Sequence, residues 1–264
     1  SSYTLDAKGL PVTIALKGVD YLKASVDETF TRSADAMTWK NAAEDEKRAL
    51  VGPAFFLTLN PVPEEDALLA RALLNAPEQQ LDLVPAGRAS IRKLASLRVS
   101  GKPGERDVDL YAISGLSLVP GLIWLDRDQR FFAGYSSWSS LIREGFEDAI
   151  PAIAQRQVEE EKRLAAVRAA ELTRTLTAPL LIRNVRVFDP PAGEVLEARS
   201  VLIDAGRIVS IGPGDVSLLD GVEELDGKGQ FLMPGLWDMH VHYSGAADGL
   251  LDLASGVTTV RDMA

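Results

Sequence analysis

The chain contains no cysteine, which excludes disulfide bonds and every thiolate metal site but leaves reducing and oxidising compartments equally open. No stretch approaches the roughly 20 consecutive apolar residues that a membrane-spanning helix needs. The opening, Ser1-Ser2-Tyr3-Thr4, has neither the basic nor the apolar part of a secretory leader, and it also lacks an initiator methionine, so localisation stays unassigned. Dense Lys/Arg patches are missing as well. The formal net charge of −10 is spread through mixed-sign runs, and nothing is arranged to neutralise a row of phosphates, so nucleic acid is excluded as the expected partner. Of the residue types present, histidine is the scarcest, with two in 264 residues.

What is present is a 46% apolar composition, enough to bury the core of one large domain or two smaller ones. Residues 1–145 read as a β-rich N-terminal domain. Val12-Thr13-Ile14-Ala15-Leu16 and Ala36-Met37-Thr38-Trp39-Lys40 are strand-like. Asp107 to Ile113 alternates, and Leu122-Ile123-Trp124-Leu125 pairs with Arg130 to Tyr135 around the turn Asp126-Arg127-Asp128-Gln129. One helix interrupts after Pro63, with Glu64-Glu65-Asp66 at its start and a stripe of Leu68, Leu69, Leu73 and Leu74 before Pro77.

From about Leu141 to Leu176 the pattern is helical, broken or capped near Pro151, and residues 146–178 read as a helical linker. Its run Glu159-Glu160-Glu161-Lys162-Arg163 is a solvated face. Residues 179–234 return to short strands with Gly-bearing turns, a small β-sandwich or roll. Residues 235–264 read strand, short helix from Asp248 to Ser255, the terminator Gly256, and the strand Val257-Thr258-Thr259-Val260, the start of a parallel βα array.

Both histidines lie in that last segment, in Met233-Pro234-Gly235-Leu236-Trp237-Asp238-Met239-His240-Val241-His242. Residues i and i+2 of a strand project to the same face, so the two imidazoles can converge on one divalent ion such as zinc. Such an ion polarises a carbonyl and acidifies bound water, but a catalytic site takes at least three protein donors. Asp238 has two readings of equal weight: orienting one imidazole by a hydrogen bond, or satisfying backbone groups where the strand begins. Asp262, at the end of the next strand, either faces a pocket or serves a turn or helix cap.

With the strand series Leu181 to Gly212 before it and Gly256-Val257-Thr258-Thr259-Val260-Arg261-Asp262-Met263 after it, this run resembles the amidohydrolase superfamily, in particular its imidazolonepropionase-like and prolidase-like members. The resemblance covers residues 180–264. It implies an α+β multidomain protein in which residues 179–234 form the small β-sandwich of a composite domain and residues 235–264 begin a (β/α)8 TIM barrel. It implies a mono- or binuclear metal centre, zinc foremost, that delivers hydroxide to the C–N carbonyl of an amide, lactam or dipeptide-like small molecule. His240 and His242 map onto metal ligands. The family's bridging lysine, further histidines and general-base aspartate would lie beyond Ala264, so no catalytic residue is assigned here, and this N-terminal part is expected to be inactive. A barrel of this type takes about 250 residues, so its first two strands are expected to expose apolar surface.

Other constellations carry less. Lys228 sits in a Gly-flanked turn and reads as a surface residue. Gly212-Pro213-Gly214 and Gly101-Lys102-Pro103-Gly104 lack phosphate-loop spacing and read as loops. Ser136, Ser137, Ser139 and Ser140 around Trp138 lack a nucleophile elbow and read as loop solvation. Trp39, Trp124 and Trp138 read as core or sheet-face residues. The rival to an enzyme is a non-catalytic β-rich binding or scaffold module with a vestigial metal strand.

Overall fold

Alternating apolar residues build the first sheet. The computed structural model describes residues 1–136, 138–214, 220–243 and 248–263, and it divides into two units, Ser1–Ala165 and Ala166–Ala264. Strands β1 (Ser2–Leu5), β2 (Pro11–Val19), β3 (Ser25–Arg32), β4 (Ala36–Lys40) and β5 (Asp45–Ala49) form an antiparallel meander in that order. Ile14, Leu16, Phe30, Met37 and Trp39 bury one face against Phe56 and Val84, with Phe30 stacked on Phe56 at 4.4 Å between ring centroids. The edge strand β5 is exposed along its whole length. Its run Asp45-Glu46-Lys47-Arg48 discourages pairing with another chain.

The second sheet contains β6 (Ala54–Phe56), β7 (Gln80–Val84), β8 (Arg88–Gly101), β9 (Gly104–Ser114), β10 (Gly121–Asp126), β11 (Phe131–Tyr135) and β12 (Ser140–Ile142), ordered β12-β11-β10-β9-β8-β7-β6. Helix α1 (Pro63–Leu74) links the parallel pair β6 and β7. Pro63 occupies its first turn, where a missing N–H costs nothing, and Glu64, Glu65 and Asp66 complement the positive end of its dipole. Ile123 and Leu125 of β10 join the core under α1, whereas Trp124 between them joins the core beneath Phe146, Ala149 and Ile153. Neighbouring residues of a strand face opposite sides, so this sheet is covered on both faces. That is why β10 reads as an unbroken apolar run. A bulge between Lys93 and Ala95 switches the faces of β8, sending Ala89 and Ile91 to one core and Ala95 and Val99 to the other.

Two sequence readings need correction in this unit. Leu141 lies in strand β12, and helix α2 spans Ile150–Leu172. Gly145 adopts φ +84° and a 3₁₀ turn at Glu147–Ala149 leads in, so of the two readings at Pro151, a break or a helix end, the second holds: Pro151 stands in the first turn of α2. Trp138 is 95% exposed, unlike Trp39 and Trp124 at 2% and 0%. It sits on a loop where the N–H groups of Trp138 and Ser139 donate to Ser136 Oγ. Ser137 lies outside the described residues.

Two buried carboxylates whose pKa values shift in opposite directions help to hold this unit together. Asp126 is 6% exposed and accepts from Arg143 Nη1 at 2.6 Å and from the amides of Asp128 and Arg130. Burial alone would raise its carboxyl, but the Arg130 amide, the Arg143 guanidinium and the Asp128 amide together hold it below the ordinary aspartate range. A depressed folded-state pKa contributes stability that is present above the unfolded value, about 3.9, and is lost as pH falls through the folded one. Unfolding of the wild type should therefore steepen in its acid dependence below about pH 4 relative to Asp126→Asn, as read by denaturant midpoints between neutral and acid pH. Parallel pH profiles would contradict this. Glu65 acts in the opposite sense: burial raises its carboxyl although Tyr3 and Thr58 donate to it. Its contribution is present below the unfolded pKa and is lost as pH rises through the folded value.

In the second unit β13 (Leu180–Asp189), β14 (Glu194–Asp204), β15 (Arg207–Pro213), β16 (Glu223–Asp226) and β17 (Phe231–Leu232) form one sheet. Its order is β15-β14-β13-β16, with β17 parallel to β13. The expected two-layer sandwich is a single sheet among the described residues. Val187, Leu196, Val201, Ile203, Ile211 and Leu232 line an open apolar recess of about 340 Å³ on it. Gly212 and Pro213, expected in a loop, end β15. Proline is tolerated because β15 is an edge strand, and the Pro213 carbonyl accepts from Ser200 Oγ at 2.6 Å. The unit closes with β18 (Leu236–Val241), helix α3 (Asp248–Ala254) and β19 (Val257–Asp262), β18 and β19 being parallel. Gly256 ends α3 at φ +81°, the left-handed terminator expected there. Among the described residues the chain is thus β-rich, with several sheets, three α-helices and no closed barrel.

Candidate metal centre

The strand that carries the histidines is fixed first by its glycine. A Cβ on Gly235 would overlap the side chain of Thr258 on β19, so only glycine lets the two strands approach this closely where β18 begins. The Leu236 amide then donates to the Gly256 carbonyl at 2.8 Å. The register runs Leu236 to Val257, Trp237 to Thr259, Asp238 to Val260 and Val241 to Asp262. Thr258 is therefore an extra residue on β19, and farther along Met239 and His240 together stand against Arg261, a bulge on β18.

His240 and His242 emerge from that bulge on the same side, His242 just past the C-terminal end of β18. Residues two apart on a regular strand rise about 6.6–6.8 Å, yet the two ring centroids are 5.2 Å apart at 66°. The rings lean together until Nε2 meets Nε2 at 3.3 Å. Two imidazole nitrogens, each about 2.0–2.1 Å from one tetrahedral ion, stand about 3.3–3.4 Å apart. The spacing thus fits one ion shared by the two rings. Both histidines are exposed, so an ion can reach them.

Of the two readings of Asp238, the observed contact is to backbone: its Oδ1 accepts the His240 amide at 3.0 Å. Asp262 pairs in register with Val241 at the same end of the sheet. Tyr243, which sequence reasoning passed over, donates its hydroxyl to Asp252 of α3. That bond, then burial and the charges of Asp252, Asp248 and Asp262, push its phenol up to about 12. It remains a protonated tie between the strand end and the helix, and its position beside His242 was the only sequence signal for it. Among the described residues no group of three His, Cys, Asp or Glu is placed to hold an ion. Lys228 is exposed, its amide donating to Asp226 Oδ1 at 2.9 Å, a turn residue as expected. The apolar surface around the strands is open, with Trp237 69% and Leu253 63% exposed.

Comparison with known proteins gives a partial likeness. No family model matches the chain. An adenine deaminase of Ruegeria sp. (strain TM1040) is 42% identical over 67 residues, 25% of this chain and 11% of the relative. A dihydroorotase of Trichlorobacter lovleyi is 40% identical over 63 residues, 24% of this chain and 14% of the relative. Among solved structures, a Xaa-Pro dipeptidase with bound methionine is 28% identical, covering 32% of this chain and 26% of that one with a TM-score of 0.27. Over about 24–30% of its length the chain is therefore similar to members of the amidohydrolase superfamily. The match spans 11–14% of the length of the two curated relatives.

Proposed function

We propose that this chain carries the first metal-binding strand and the accessory β domain of a metal-dependent amidohydrolase that hydrolyses a C–N bond in a small molecule. The observation that carries the reading is the 3.3 Å between His240 Nε2 and His242 Nε2, the separation that two ligands of one tetrahedral ion require. In this reading β18, α3 and β19 open a (β/α)8 barrel, and the sheet β13 to β17 belongs to its composite domain. The sidedness agrees, because sites in such barrels gather at the C-terminal ends of the strands, where His242 stands. The similarity to an adenine deaminase, by name an enzyme that removes an amino group, supports C–N chemistry.

His240 and His242 would hold a divalent ion, zinc foremost, through Nε2, both rings being neutral with the proton on Nδ1. When bound, the ion supplies Lewis acidity toward a substrate carbonyl and toward water. Asp238 would orient the ligand strand. No general base is assigned within the chain, and two protein donors hold an ion more loosely than the three or more of a catalytic site. The 264-residue chain should therefore take up one zinc ion weakly and reversibly in equilibrium dialysis and turn over no amide or dipeptide. Measured hydrolysis by the purified chain would overturn the division of labour proposed here. The rival is a binding or scaffold module with a vestigial metal strand. Failure to take up Zn²⁺, Co²⁺ or Ni²⁺ at all would decide for that module.

A further inference from the structure

We infer that Asp238 is a positioning residue that aims the two imidazoles at a common point by holding the backbone of the β18 bulge, not by touching either ring or an ion. The affinity part of this inference rests on the metal reading above. Two independent observations carry it. The register shows two residues, Met239 and His240, opposed to Arg261 alone between the pairs Asp238–Val260 and Val241–Asp262. An extra residue of this kind disrupts the ladder locally and leaves a strand amide in need of another acceptor. The Asp238 carboxylate is that acceptor, taking the His240 amide at 3.0 Å across the two-residue reach typical of aspartate.

The geometry explains why the bond matters to the rings. A bulge bends its strand and re-aims the side chains that follow, and here the residue whose amide is held is itself one of the converging histidines. Without the acceptor, the cheapest repair is for the His240 amide to return to the β19 ladder, which flattens the bulge. The rings would then return toward the wider spacing of a regular strand, about 6.6–6.8 Å. The bond needs an oxygen acceptor and no charge, so asparagine should replace aspartate at this position while alanine should not.

The test uses the whole chain with Zn²⁺ alone as the probe, together with NMR of the metal-free protein. Asp238→Ala should weaken Zn²⁺ binding by about 10-fold or more, shift the His240 amide proton upfield and abolish the nuclear Overhauser contacts between the two imidazoles. Asp238→Asn should keep all three close to wild type, with affinity within about threefold. Equal losses in both variants would show that the negative charge acts on a ring or on the ion, and would overturn the inference. Unchanged affinity and ring contacts in Asp238→Ala would overturn it too. If the wild type takes up no zinc but the ring contacts vanish in Asp238→Ala alone, the metal reading fails and the positioning role stands.

Discussion

Replacing His240 and His242 together by alanine should abolish the proposed divalent-metal uptake by this chain, and replacing either one should weaken it by about two orders of magnitude. The magnitude follows from zinc sites whose four ligands gain about 10–16 kcal/mol. That is about 3 kcal/mol per ligand, and 1.4 kcal/mol is a factor of ten. Competition against a chromophoric chelator reads the loss directly. Both rings are exposed and belong to none of the buried clusters, so thermal unfolding should barely move in the double variant. Retained uptake would show that the ion is held elsewhere and that the pair is only a hydrogen-bonded contact.

Trp124→Ala should be the most damaging single change to the first unit. Trp124 is fully buried among Leu110, Phe132, Phe146 and Ile153, and its Nε1 donates to Gln157 Oε1 at 3.1 Å. Truncating a buried aromatic to alanine costs about 3–5 kcal/mol through lost burial and the cavity left behind. It would also leave the amide of Gln157, itself 2% exposed, without one of its partners, although Gln157 Nε2 still donates to the Tyr135 carbonyl at 3.0 Å. Against unit stabilities of about 5–15 kcal/mol, that loss moves the denaturant midpoint far toward zero. Trp124→Phe keeps most of the volume and should cost about 1–3 kcal/mol, the share of the unpaired acceptor. An alanine variant that unfolds within about 1 kcal/mol of wild type would contradict the placement of Trp124.

The regular parts of the fold were legible because hydrophobic period and turn chemistry agree locally. The β10–β11 hairpin, helix α1 and the β18–α3–β19 segment all fall where alternation, Pro63 and Gly256 mark them. Features set by distant partners were not legible. Leu141 lies near a helical stretch yet pairs with Gly134 across β11 and β12. Trp138 resembles the buried tryptophans in local sequence but sits on a loop. Glu28 carries no local mark of burial, yet it is 2% exposed because it accepts the amides of Leu59 and Asn60 from another part of the chain.

At the candidate centre, H-x-H spacing reveals the pair and its sidedness. The bulge that draws the rings to 3.3 Å depends on register against β19, which spacing alone does not encode. The glycine of the Pro234-Gly235 step is legible as a turn, whereas its reason, the side chain of Thr258, is a contact across strands. Asp238 was legible as a polar neighbour, and only the hydrogen bond to the His240 amide distinguishes its backbone role from an imidazole contact.

X-ray absorption of the zinc-loaded chain tests the shared-ion geometry most directly. Two imidazole nitrogens should scatter at about 2.0–2.1 Å from the ion, with water oxygens filling the remaining positions, and that imidazole signal should vanish in the His240→Ala, His242→Ala double variant. A zinc ion surrounded by oxygen alone in the wild-type chain, or an imidazole signal that survives the double substitution, would contradict it.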